Sequence, residues 1–174
     1  ESIPGAYECD LASTPSGWVM AAVSMEDVDS RFVRNMDGDG EWEKAKALLR
    51  PDVTFEQWDE AFTSLRPVLS LVESSGGRLE TVYSVSAEQF SGLAVVGESD
   101  PAYVWTSLED GLWSVNLYHR GETSVVESGR GVLQAPAITR DVGGGLWLAW
   151  VERGAGEDMI TVQDSERSKR FDLG

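Results

Sequence analysis

The chain has 174 residues, 41% of them hydrophobic and 25% charged, which is enough for one ordinary core and excludes a disordered tail as the default. With 30 Asp and Glu against 14 Lys and Arg, its formal charge of -16 repels phosphate backbones and anionic membrane surfaces, so nucleic acid is not an expected partner. A single cysteine, Cys9, excludes an intrachain disulfide and reads as a small buried hydrophobe, and no apolar run approaches the roughly 20 residues of a membrane span.

In chain order, Tyr7, Cys9 and Leu11 alternate, Thr14 to Gly17 turns, and Trp18 to Val23 is a near-continuous apolar strand. A third strand is predicted at Arg31 to Met36, followed by the tight turn Asp37 to Gly40. The pattern then changes. Thr54 N-caps a segment whose Gln57 completes a capping box, and Phe55, Trp58 and Phe62 fall at helical spacing. Thr54 to Ser64 is therefore predicted as a short amphipathic helix, an insertion at 51–65.

A strand-turn-strand phrase follows three times, opened by Pro67, Pro101 and Pro136 at intervals of 34 and 35 residues. Leu93 to Val96 and Thr123 to Val126 are candidate third strands. The last copy directs Ala135 and Ala137 inward, turns over Asp141 to Gly145, where Gly145 is expected at positive φ, and continues as Leu146 to Val151. That strand is apolar on both faces and requires cover on both. The expected fold is all-β: four β-propeller-like blade repeats in a small or partial propeller, approximately 1–50, 66–99, 100–134 and 135–174, with one short helical insertion.

Two segments carry a family resemblance. Val33 to Trp42 (VRNMDGDGEW) resembles the Asp-box of sialidase-like β-propellers, whose pattern is Ser-x-Asp-x-Gly-x-Thr-Trp. Asn35 stands for the Ser, Asp37 is the Asp, Asp39 replaces the Gly, Glu41 replaces the Thr, and Trp42 is the Trp. Val162 to Phe171 (VQDSERSKRF) resembles it more distantly, with Asp164, Glu166, Ser168, Arg170 and Phe171 in those places. In that family the boxes are structural, each folding a carboxylate onto the backbone of a hairpin turn over an aromatic ring. A complete ring has about six blades in the family, which the four repeats here do not reach, so the resemblance implies a small ring or a part completed by another chain.

A sialidase-like enzyme requires converging arginines, a Tyr activated by a Glu, and an acidic acid/base. Several of the Arg residues here follow turns rather than central strands, and Tyr7-Glu8 and Tyr83 with Glu80 are weak partners on strands. His119, the only histidine, lies in the turn YHRGE and reads as an exposed turn residue. Asp37, Asp39 and Glu41 alternate in a Gly-rich turn and form a candidate calcium site, although no full twelve-residue loop is present. Among the aromatics, Tyr118 and Trp150 are the candidate ligand-binding residues, for stacking on a glycan or anchoring a protein.

The expected function is thus a noncatalytic binding or assembly subunit recognising a protein or glycan, with a second chain completing the propeller as an expected partner. The alternative is a sialidase-like glycoside hydrolase or a fragment of one. Glu1 in place of Met fits a processed end, hence an extracellular or periplasmic location.

Overall fold

Twelve strands and no helix make up the regular structure among the described residues of the computed structural model, which are 6–25, 66–154, 158–164 and 166–173. The helix predicted at Thr54 to Ser64, the strand at Arg31 to Met36 and the Asp37, Asp39 and Glu41 turn lie outside these residues. The first sheet runs β1 (Ala6–Thr14), β2 (Gly17–Met25), β3 (Pro67–Ser75) and β4 (Arg78–Ser86). The second contains β5 (Gln89–Val96), β6 (Ala102–Glu109), β7 (Leu112–His119) and β8 (Glu122–Gly129). The third contains β9 (Val132–Arg140), β10 (Leu146–Arg153), β11 (Asp158–Gln163) and β12 (Ser168–Asp172). Each sheet is an antiparallel meander in which sequence neighbours pair.

Short turns with left-handed backbone make the meanders possible. Gly76-Gly77, Asp110-Gly111 and Arg120-Gly121 all have positive φ at both central residues, the geometry whose twist matches flanking antiparallel strands. In the Asp141 to Gly145 turn it is Gly144, not Gly145, that takes positive φ (84°). Gly145 is restricted instead by the Asp141 carboxylate, 2.9 Å from where its Cβ would stand.

Among the described residues there are three four-stranded sheets, and the phrase opened by Pro67, Pro101 and Pro136 does not mark their starts, because it advances by three strands while a sheet holds four. Pro67 begins the third strand of the first sheet, Pro101 precedes the second strand of the second sheet, and Pro136 lies inside the first strand of the third. Leu93 to Val96 belongs to the first strand of its sheet and Thr123 to Val126 to the fourth. The described residues form no closed ring.

The true repeat is recorded in the β-bulges. In β5 two residues, Ser91 and Gly92, stand between the pairs Phe90↔Ser107 and Leu93↔Trp105. In β9, Ala135 and Pro136 stand between Gln134↔Val151 and Ala137↔Ala149. Each of these four β5–β6 positions lies 44 residues before its β9–β10 counterpart. β4 and β8 repeat a bulge too, at Val82 and Val126, again 44 residues apart. The bulge in β9 breaks the alternation expected there: Ala135 and Ala137 are exposed and Pro136 is buried.

Two buried clusters join the sheets. Val19, Ala21, Val23, Leu69 and Leu71 of the first sheet pack with Tyr103 and Trp105 of the second. Val104, Trp113 and Val115 of the second pack with Leu133, Leu148 and Trp150 of the third. Val104 and Leu148 are 44-residue counterparts in the same cluster, so the second and third sheets meet through equivalent faces. The first two sheets do not, since the bulge register makes Thr106 the counterpart of Ala21 and Trp105 that of Met20. A ring of blades requires one rotation repeated at every joint, and here the sense of packing reverses.

The reversal rests on a close approach between β5 and β9. A Cβ on Gly92 (φ +141°) would stand 2.6 Å from Pro136 Cδ. Ser91 Oγ bonds both Thr106 Oγ1 (2.8 Å) and the Leu133 carbonyl (2.6 Å) beside it. Gly92→Ala is expected to cost about 2–4 kcal/mol in urea unfolding, whereas Gly76→Ala, at positive φ but with nothing near its Cβ, is expected to cost about 1. In the same core, Trp150 Nε1 and Thr161 Oγ1 are buried without hydrogen-bond partners, so Thr161→Val is expected to raise stability by about 1 kcal/mol in the same measurement.

Candidate functional site

The turns β5–β6, β7–β8 and β9–β10 lie at one end of the stack, because strands alternate in direction within each meander. There the Gly97 to Pro101 turn is tied to all three sheets. Glu98, with φ at 69°, donates its N–H to the Ser13 carbonyl of the first sheet (3.1 Å). Asp100 Oδ2 lies 2.9 Å from His119 Nε2 and accepts from Arg120 Nε at 3.0 Å, both from the second sheet. Arg140, at the end of β9 in the third sheet, donates Nη2 to the Asp100 carbonyl and Nη1 to the Gly144 carbonyl (2.8 Å).

Arg140 is only 7% exposed. Its Nε has no hydrogen-bond partner and stands 3.9 Å from Glu98 Oε2, while Nη2 is 3.5 Å from His119 Nε2. For Asp100, burial favours the neutral acid, but the hydrogen bonds and charges of Arg120 and His119 outweigh it and hold the carboxyl below the ordinary carboxylate range. The cluster is a crosslink between sheets whose polar groups, Arg140 Nε apart, are engaged with one another or with backbone carbonyls.

Beside it, Asp141 Oδ1 accepts from the N–H groups of Gly143 (2.7 Å) and Gly145 (2.9 Å), and Trp147 Nε1 approaches Oδ2 at 3.4 Å. These bonds, that from Gly145 foremost, lower the Asp141 pKa. A second carboxylate-closed turn lies between β11 and β12, where Asp164 Oδ1 accepts from Glu166 N (2.7 Å) and Arg167 N (2.6 Å). There Asp164, in the place of the pattern's Ser, closes the turn, while Glu166, in the place of its Asp, contributes its backbone N–H.

The sequence-selected residues are placed differently from expectation. Trp150 is 1% exposed, its ring covered between the second and third sheets, so its role is packing. Tyr118 is half-buried in an aromatic group, 5.3 Å from the Tyr83 ring and 5.8 Å from that of Tyr103. Cys9 is exposed rather than buried. His119 is a strand-end residue paired with Asp100, not a free turn residue. An acidic group not selected from sequence, Glu88, Glu109 and Asp110, is exposed, and Arg66 pairs with Glu109.

One Tyr–Glu pair exists among the described residues, Tyr103 Oη donating to Glu73 Oε1 at 3.3 Å. It is the reverse of an activated nucleophile. Tyr103 is 0% exposed, and burial together with the Glu73 charge drives its pKa up, keeping the phenol protonated.

What the sequence reading missed most is the outer face of the third sheet. Leu148, Trp150 and Ile138 point to the second sheet, so the alternate residues Trp147, Ala149, Val151, Ile160 and Val162 point away from it and are half-buried. Phe171, cross-strand from Ile160, is 51% exposed. The signal was present in Leu146 to Val151, which is apolar on both faces, of which only one is covered by another sheet among the described residues.

A scan of protein-family models finds no match to this sequence, and a search of curated proteins finds no relative. Among the described residues no helix is long and apolar enough to cross a membrane.

Because the folded-state pKa of Asp100 is depressed, its contribution to stability is complete above the ordinary Asp value of about 3.9 and is lost as pH falls through the folded value. Asp100→Asn is therefore expected to lower the melting temperature at neutral pH by roughly 2–4 °C, the shift of about 1 kcal/mol in a domain of this size, allowing for partial exposure. The difference from wild type is expected to shrink below about pH 4 in a calorimetric pH series.

Proposed function

We propose that this chain is a noncatalytic assembly module that binds another protein surface through the outer face of its third sheet. The observation that supports this reading is the row Trp147, Ala149 and Val151 beside Ile160, Val162 and the exposed Phe171, an apolar sheet face uncovered among the described residues. A face of this kind marks an interaction surface in a soluble protein. The charged residues on it are few: Lys169, cross-strand from Val162, and the pair Arg153 and Asp158, 3.5 Å apart.

A glycoside hydrolase is disfavoured on the same chemistry. The buried Tyr103 is held protonated, and Arg120 and Arg140 are spent on Asp100 and on backbone carbonyls. The expected propeller-like ring enters only as a scaffold completed by further sheets, for which an uncovered sheet face is the requirement.

Lys169, the only lysine among the described residues, reports on this face. Amine cross-linking followed by mass spectrometry is expected to join Lys169 to a second polypeptide when the chain is purified from its native source. Linkages from Lys169 confined to its own chain contradict the proposal.

A further inference from the structure

Resting on that reading, we infer that the occupant of the outer face of the third sheet is a second copy of the chain, the same face of the two copies packing together. The 44-residue equivalence states what such a face is built to receive. Its counterpart in the second sheet, with Tyr103 and Trp105 in the places of Trp147 and Ala149, is covered inside the chain by another four-stranded sheet. The cover there is aliphatic, Val19, Ala21, Val23, Leu69 and Leu71, and Ala149, Val151, Ile160 and Val162 of a second copy present an aliphatic surface of the same kind.

Packing of like faces has a precedent within the molecule, since the second and third sheets already meet through equivalent faces, Val104 and Leu148 sharing one cluster. A two-fold joint between identical faces closes on itself and leaves no further surface to propagate a filament.

Charge selects the same face. Two copies each carrying -16 repel one another, so they approach best where carboxylates are fewest. The carboxylates on the described part of this face are engaged, Asp158 with Arg153 and Asp141, at the turn beside Trp147, with the Gly143 and Gly145 N–H groups, and Lys169 adds a positive charge. The outer face of the first sheet is a weaker competitor: its apolar residues Leu11, Trp18, Met20 and Val68 are interrupted by Ser13, Ser24, Ser70 and Ser74, and Ala22 and Val72 on it are already buried.

Sedimentation equilibrium of the purified chain over a micromolar concentration series is the test. Wild type is expected to approach twice its 19.0 kDa mass, more completely at high salt, where repulsion is screened. Phe171→Glu, at an exposed edge-strand position that threatens the fold little, and Val151→Lys, nearer the centre, are each expected to return the mass to 19.0 kDa with an unchanged far-ultraviolet spectrum. Leu11→Glu, on the first sheet, is expected to leave the dimer intact.

A wild-type monomer at every concentration and salt overturns the inference. So does a dimer that both third-sheet variants leave intact, or one that Leu11→Glu breaks. If the chain sediments as a monomer while Lys169 cross-links to a different protein, self-association falls and the assembly reading stands. If Lys169 finds no second polypeptide of either kind, both fall.

Discussion

The close approach of β5 to β9 determines how the other elements can be arranged. Gly92 has no side chain because Pro136 occupies the space, and Ser91 holds the joint by bonding Thr106 within its own sheet and Leu133 in the next. Each first strand carries its bulge at the same register, so the two sheets approach through equivalent faces and bury Trp150 and Leu133 between them. Once that joint is made, the opposite face of the third sheet has no partner among the described residues. The uncovered apolar face is a consequence of the joint.

At one end of the stack a different kind of bond performs a related task. The Gly97 to Pro101 turn reaches Ser13 through a backbone hydrogen bond and Arg140 through its own carbonyl, while its Asp100 carboxylate gathers His119 and Arg120. Apolar packing between sheets has no direction and tolerates sliding, whereas these bonds fix the ends in register. The sole histidine and a nearly buried arginine meet here, in a cluster that reads locally like chemistry. The bonds it makes between sheets, which engage every donor of Arg140 but Nε, make it a structural fastening.

Much of the strand content was legible in the sequence. Alternating apolar residues and turns such as Asp110-Gly111 and Arg120-Gly121 marked the hairpins, and the Trp18 to Val23 and Leu146 to Val151 runs marked second strands. The grouping into sheets was not, since a strand and its turn repeat every ten to fourteen residues here and the Pro67, Pro101 and Pro136 phrase sampled that ladder every three strands. The first-strand bulges that carry the 44-residue repeat have no residue type in common, Ser-Gly in β5 and Ala-Pro in β9, and the fourth-strand bulges share only a single valine, Val82 and Val126. Nor does spacing reveal that Asp100, His119 and Arg140 converge, because their meeting depends on which strands share an end. Trp150 and Trp147 show the same limit, since alternation gives opposite faces and only the sheet order decides which is covered.

The reversed joint between the second and third sheets is the claim on which the rest depends, and methyl-methyl nuclear Overhauser effects test it most directly. The account predicts cross-peaks linking the methyls of Val104 and Val115 to those of Leu133 and Leu148, with Ala149 and Val151 silent toward the second sheet. Cross-peaks from Ala149 and Val151 to second-sheet methyls, with Leu148 silent, would contradict it and restore a rotationally repeated set of blades.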